Sequence, residues 1–559
     1  MPHLSTVTNP LAAAALIVAA MAVPRTRPEP AHPDIRATPA SGERREDTSR
    51  GGLPFHVDTA RIDSIFRPYT APGSPGCAVA VTYDGAMVFG RGYGLAKIET
   101  GERLSTASVV EGASMAKQFV AYALLLLQAD GKLSLDDPVR KYAPEVPDFG
   151  TPVTLRQMMH HTSGLRDLSE VSWLAGQGGF GLQLLPRQRA LNFAPGTDYL
   201  YSNTNYDVLE KVVERVAGKP YPRFLDERIF GPLGMASTGM PGRAAARFVH
   251  AYTRREGGGF ERDDGDPGFL TTPEDLVRWE ANFYHARVGT PAMMAQMLAD
   301  ARLANGETAP YGLGLHTEPY RGVRRFWHGG LGAGFRSQFL HYPDQRRGVL
   351  VMCNLRQAEP VALAEAVSDV VLADVLPPAA TAVEIARDTG VYANARTLGT
   401  APISVMDGRM ALLVWVTRYP LNPLGGNRFR VEGQPLTLEF RPSPAGTELV
   451  EHWDGRATPI VFRRLADRNP APAELRAFTG AYTSRDLDAT WRVRVKDGAL
   501  HLAGAPEDVA DLRAFGGDLF TDRDGYMLVA FHRDAGQQVD GFTVSTPRAR
   551  GMAFRRLRR

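Results

Sequence analysis

The chain has 559 residues, too many for a single hydrophobic core, so about two to four domains are expected. Charged residues make up 22% and hydrophobic ones 44%, which excludes a wholly disordered or fibrous chain. Net charge is only +3, acids and bases are interspersed, and no basic stripe runs between aromatics, so nothing points to a nucleic-acid partner.

The N-terminus reads as a targeting segment. "LAAAALIVAAMAV" (11–23) is apolar but short for a bilayer span, and Ala20-Met21-Ala22 fits the small-x-small pattern of a signal-peptidase site. Residues 1–22 are therefore expected to be a signal peptide. The leading residues hold His3 but no Lys or Arg, which keeps a retained anchor open. Residues 23–52 are rich in Pro and charge and are expected to be a disordered linker. No later run reaches transmembrane length, so the expectation is an exported protein, periplasmic or secreted, with no span after cleavage. Only two cysteines, Cys77 and Cys353, accompany this address, so disulfides do not build the fold. Both sit in strand-like apolar runs. Two buried thiols are the first reading, and a single bridge the second.

"GCAVAVTYDGAMVFGRGYG" (76–94) is two apolar runs joined at Asp84-Gly85, a hairpin signature. Helices dominate next. "SMAKQFVAYALLLLQADG" predicts four to five turns ending at Asp130-Gly131, and "TLRQMMHHTSGL" a shorter helix stopped at Gly164. "DVLEKVVERVAG" places Leu209, Val212, Val213 and Val216 on one helical face, closed by Gly218. "TTPEDLVRWEANF" opens with a Thr-Pro cap. From about residue 311 strands return as "RRFWHGG", "FRSQFLHYP" and "GVLVMCNL". Strands at both ends with helices between predict an α+β domain over 53–378, its antiparallel sheet closed by the two ends.

Beyond about residue 378 strand-and-turn units take over, and the chain repeats itself. Thr389-Gly390-Val391-Tyr392 recurs as Thr479-Gly480-Ala481-Tyr482, Asp407-Gly408 as Asp497-Gly498, "LTLEF" as "MLVAF" and "VFRRL" as "AFRRL". Two similar all-β units are expected, over 379–468 and 469–559, each a small antiparallel barrel.

Three stretches hold chemistry. Ser114 precedes Lys117 by three residues, so on a helix the two share a face. A serine hydroxyl needs a base to become a nucleophile, and burial with the positive helix end loosens a lysine proton. The plain alternative is a capping serine with an incidental lysine. Tyr201-Ser202-Asn203 ends a turn before a helix. There Tyr201 is either an anchor or a proton shuttle, and Asn203 either a cap or a donor to substrate that also holds Lys117. His328-Gly329-Gly330-Leu331 ends a strand whose glycines let a substrate lie against its edge. The amides of Ser114 and Leu331 are candidate oxyanion donors. The plain alternative is a glycine-rich turn with a solvent-facing histidine.

Taken in order, Ser114-x-x-Lys117, Tyr201-x-Asn203 and His328-Gly329-Gly330 resemble the signatures of the serine β-lactamase and penicillin-binding-protein superfamily. The branch is that of class C β-lactamases, related esterases and D-aminopeptidases, to which "MMHHTSGL", "FLTTPEDLVRW" and "YGLGLH" are also similar. The resemblance covers about 55–375. The twin β-units look like the two C-terminal barrels of D-aminopeptidase-type enzymes.

The resemblance implies a serine hydrolase. Ser114 would attack an ester or amide of a small-molecule or short-peptide substrate, D-amino-acid or peptide-like. Lys117 and Tyr201 would share its proton, and Asn203, His328, Gly329 and Gly330 would bind substrate. Tyr201 would protonate the leaving group, and water would resolve the acyl-enzyme with no metal or cofactor. It also implies that "GCAVAV" runs antiparallel beside "GVLVMC", which brings the two cysteines close. The third signature usually begins with Lys, and His328 offers no fixed charge at neutral pH. That favours substrates without a carboxylate at this point. The alternative is a binding protein, a penicillin-binding or peptidoglycan-fragment sensor that deacylates slowly. A third reading, Gly112-x-Ser114-x-Ala116 as the nucleophile elbow of an α/β-hydrolase, lacks the strand–helix alternation that fold needs.

Overall fold

In the computed structural model, the described residues are 55–177, 181–241, 248–377, 388–394, 397, 399–406, 409–414, 417–431, 436–444, 446–453, 459–504 and 511–557. The signal segment 1–22, the linker 23–52 and the Asp407-Gly408 turn lie outside them. Phe55–Arg559 pack as one unit.

A five-stranded antiparallel sheet organises the first part. β1 (Cys77–Tyr83) and β2 (Ala86–Tyr93) form the hairpin at Asp84-Gly85. Both turn residues have positive φ, 52° and 73°, which suits the right-handed twist of the two strands. β3 (Phe326–Leu331), β4 (Arg336–Tyr342) and β5 (Arg347–Cys353) complete the order β3-β4-β5-β1-β2. β1 is an interior strand covered on both faces, which is why its run is apolar throughout. Val79 and Val81 pack with Ile62, Phe66 and Val367 from the helices α1 (Thr59–Phe66) and Pro360–Val371. Ala80 joins the large core of the helical region instead.

The register places Cys77 opposite Cys353, and the two are bonded, with Cα atoms 4.0 Å apart. The bridge corrects the expectation of two buried thiols. Each run shows that its cysteine is buried, but only strand register makes the two neighbours.

The helix after Ser114 is shorter than its apolar run suggests. Residues Ala113–Ala116 form a tight 3-10 turn, and α2 (Lys117–Ala129) starts at the lysine. Every α2 residue from Lys117 to Leu127 is buried, as expected of a central helix. The helix in "TLRQMMHHTSGL" also ends early, at Met159, because His161 takes a left-handed φ of 58°. Asn203–Ala217 runs to Gly218, whose φ of 66° closes it. Pro273–Tyr284 starts at Thr272, whose side chain accepts from the Asp275 amide.

The C-terminal part is two eight-stranded antiparallel units. The first is a closed barrel, from Gly390–Asn394 to Ile460–Arg464. In the second, from Gly480–Ser484 to Met552–Arg556, a bridge between Leu500 and Leu512 brings the end strands together. The repeat has a physical basis. Gly390 and Gly480, at φ 145° and 155°, each lie against an arginine of the closing strand, Arg464 or Arg556. A Cβ would come within 2.9 Å or 3.0 Å of that guanidinium. No helix among the described residues is long and apolar enough to cross a membrane.

Candidate active site

The nucleophile turn is built where a strand edge meets the head of α2. Val110–Glu111 pairs with Leu270–Thr271, and the Gly112 amide donates to Phe269 O at 2.7 Å. The chain then reverses through Ala113, a non-glycine residue held at φ 44°. Such strain costs on the order of 1 kcal/mol or more and persists only where the surroundings enforce it. Here the enforcing neighbour is β3, the edge strand of the sheet. A Cβ on Gly330 would sit 2.3 Å from Gly112 O, so glycine is what lets the strand touch this turn.

Ser114 and Lys117 then meet. Lys117 Nζ donates to Ser114 Oγ and to Asn203 Oδ1, both at 3.0 Å, and Lys117 is only 7% exposed. The same ammonium lies 5.0 Å from the centroid of the half-buried Tyr201 ring. Asn203 is oriented from behind, because its backbone N–H and its Nδ2 both donate to Asp167 Oδ2 at 3.1 Å. With Nδ2 committed there, Oδ1 must face the lysine. Asp167 is fully buried. Its Oδ1 caps the helix Leu168–Leu174 through the Ser169 amide, and Arg548 Nη1 stands 3.6 Å from its Oδ2.

His328 is not solvent-facing; it is 3% exposed. Nδ1 lies 2.7 Å from Gly329 O and so carries the proton. Nε2, 3.1 Å from Tyr311, accepts from that hydroxyl. Burial first, and the nearby Lys117 charge second, push its pKa down to about 3, so this histidine is uncharged at neutral pH. His316 and His161 are likewise held neutral, burial being the main cause. The His161 ring packs tilted against Tyr201, centroids 4.3 Å apart, and its Nδ1 accepts from the Ser202 amide and from Asn205 Nδ2, each at 3.1 Å. Leu331, at the end of the edge strand, is 36% exposed.

The structure thus gathers Ser114, Lys117, Tyr201, Asn203 and His328 around one point, with Gly330 against the nucleophile turn and Gly329 and Leu331 beside it on the edge strand. Sequence reasoning missed Asp167, His161, Tyr311 and Arg548. His161 lies within the quoted stretch "MMHHTSGL" and Asp167 two residues beyond it, but no spacing rule marked them. Arg548 sits in the second β-unit and gave no signal. Among the described residues no cluster of three or more His, Cys, Asp or Glu could hold a metal.

Comparison with known proteins places the chain in a family. The family model named Beta-lactamase matches residues 62–373, more than half of the chain. The chain belongs to the beta-lactamase family. Within this family a D-aminopeptidase of Brucella melitensis biotype 1 is 26% identical over 549 residues, covering 89% of this chain and 98% of the relative. A D-aminopeptidase of Gluconobacter oxydans is 28% identical over 450 residues, covering 77% of this chain and 83% of the relative. The octameric penicillin-binding protein homologue from Pyrococcus abyssi shares the fold, with a TM-score of 0.52 and 19% identity over 81% of this chain and 99% of its own. As a beta-lactamase family member, the chain is a serine hydrolase. The α/β-hydrolase alternative is overturned, since the sheet is antiparallel throughout.

Proposed function

We propose that this beta-lactamase family protein is an exported hydrolase that works through an acyl-enzyme on Ser114 and removes D-amino-acid residues from amides or short peptides. The observation that carries the reading is the Lys117 ammonium shared between Ser114 Oγ and Asn203 Oδ1 beside the Tyr201 ring. In this reading the Lys117–Tyr201 pair, in the form that has lost one proton, takes the serine proton as Oγ attacks the acyl carbon. The amides of Ser114 and Leu331 receive the developing oxyanion, and Tyr201 returns a proton to the departing amine. Water then cleaves the acyl–oxygen bond along the same relay, restoring the hydroxyl.

Two features bear on the substrate. The D-aminopeptidase of Brucella melitensis aligns over 89% of this chain and 98% of its own, a length that extends beyond the first domain into the β-units. His328 is uncharged and has both ring nitrogens engaged, so this position has no cation for a substrate carboxylate. Both favour amides and peptides over substrates bearing a carboxylate at that point. The bridged cysteines and the apolar N-terminal run favour an oxidising compartment.

Mass spectrometry with p-nitrophenyl acetate and with D-alanine p-nitroanilide tests the reading. A transient adduct on Ser114 that returns to free enzyme, and is lost in Ser114→Ala, is expected. An adduct that persists would make the protein an acylated sensor. Undiminished turnover by Ser114→Ala would defeat the assignment.

A further inference from the structure

The second β-unit reaches the active site. The hairpin joining the strands Val539–Ser545 and Met552–Arg556 turns at residues 546–551, and that turn is seated on the helical region by a set of directed bonds. Thr546 Oγ1 and the Arg548 amide both donate to Glu170 Oε2, the latter at 2.9 Å, while the Tyr526 hydroxyl donates to Oε1 at 3.0 Å. Arg548 O accepts from the Asp167 amide at 3.1 Å and from Asn192 Nδ2 at 3.0 Å, and the Arg550 amide donates to Asn192 Oδ1 at 2.9 Å. Arg166, 3% exposed, pairs with Asp486 of the same β-unit at 2.7 Å. These contacts deliver one side chain to the catalytic cluster. The Arg548 guanidinium carbon is 4.9 Å from the Tyr201 ring centroid, and Nη1 is 3.6 Å from Asp167 Oδ2.

We propose that Arg548 is a positioning residue of the active site, neutralising the buried Asp167 that orients the Asn203 amide against Lys117. The proposal rests on Lys117 and Tyr201 acting as the base for Ser114. Without Arg548 the Asp167 carboxylate would stand buried and uncompensated one amide away from the ammonium. It would hold the Lys117 proton more tightly, and a phenolate at Tyr201 would lose its neighbouring cation. Both effects move the working form of the base to higher pH.

His161, His316 and His328 lie within 6.3 Å of the Tyr201 ring and are kept neutral mainly by burial. The Tyr199, Tyr206 and Tyr311 phenols have their pKa raised, burial again leading. From the helix Asn203–Ala217, Asp207 and Glu210 bear on Lys117, and burial raises each to about 7. Glu170 is also raised, by burial first. Burial opposes the Arg548 charge, but Asp167, Glu170 and Tyr201 outweigh it and hold its pKa above the ordinary value.

The test is the pH profile of kcat/KM for p-nitrophenyl acetate in the full chain. Each cation is about 5 Å from the same ring centre, so they lie within about 10 Å of each other. At an effective dielectric of about 20 that separation corresponds to a shift of about one pH unit. Arg548→Gln should lower kcat/KM by about tenfold or more at neutral pH and raise the acid limb by about one unit. Arg548→Lys should leave the limb near the wild-type position, and the double variant R548Q/D167N should return it there. An acid limb that stays put in Arg548→Gln, or fails to return in the double variant, overturns the proposal. Should Arg548→Gln not fold, Asp167→Asn alone decides, since it should lower the limb by about the same amount. Failure of the underlying mechanism would show differently, as a wild-type protein that forms no Ser114 adduct.

Discussion

Gly330 offers the sharpest test of how the nucleophile is held. Its α-carbon faces Gly112 O so closely that an added Cβ would sit 2.3 Å from that oxygen and 3.0 Å from its carbon. Both neighbours are backbone, and neither can rotate away. Restoring an ordinary carbon–oxygen contact requires the strand edge and the Gly112–Ser114 turn to separate by about 1 Å, in a close-packed setting that transmits the strain. A displacement of about 1 Å at a reacting group costs on the order of a hundredfold in rate. Gly330→Ala should therefore lower kcat/KM about a hundredfold while destabilising the fold by about 1–3 kcal/mol, the usual range for overpacking. Gly329→Ala is the control. Its Cβ would meet the end of the Gln338 side chain at 2.8 Å and a backbone oxygen, Ser337 O, only at 3.3 Å, a milder clash than at Gly330, so a loss of less than about tenfold is expected. Initial rates with p-nitrophenyl acetate, read beside urea denaturation curves, make the comparison. Equal activity losses in the two variants, or a Gly330→Ala enzyme within a few-fold of wild type, would refute the steric argument.

Two further outcomes follow from the fold. The bridge Cys77–Cys353 spans 276 residues of sequence. Replacing both cysteines by alanine should cost up to about 5 kcal/mol on chain-entropy grounds, measured by urea unfolding, and reductant should destabilise the wild type but not the variant. Asp522 has its pKa raised to about 6, burial being the main cause, so the folded state prefers the carboxyl form. Its contribution is complete below the ordinary carboxylate range near pH 4 and is lost as pH rises through about 6. Asp522→Asn, measured against wild type at pH 4 and pH 8, should gain about 1–3 kcal/mol in relative stability at the higher pH and little at the lower.

Much of the architecture could be read from local pattern. The Asp84-Gly85 hairpin, the amphipathic helix that ends at Gly218 and the ninety-residue repeat behind the two barrels all depend on neighbours within one or two elements. Pairing Ser114 with Lys117 needed only a spacing of three residues, which holds in a 3-10 turn as well as in an α-helix. That the turn is 3-10 was not visible, because it depends on β3 pressing against Gly112 from more than two hundred residues away.

By itself, then, the sequence determined which runs are strands or helices and which polar residues stand near their ends. Such choices follow from backbone conformation and side-chain periodicity over a few residues. Only the tertiary structure decided that Cys77 faces Cys353, that His328 is buried and neutral, and that Asp167 and Arg548, 381 positions apart, share a charge beside Lys117. Each of these depends on desolvation or on a contact between distant segments. Neither quantity exists until the segments pack and exclude water from between them.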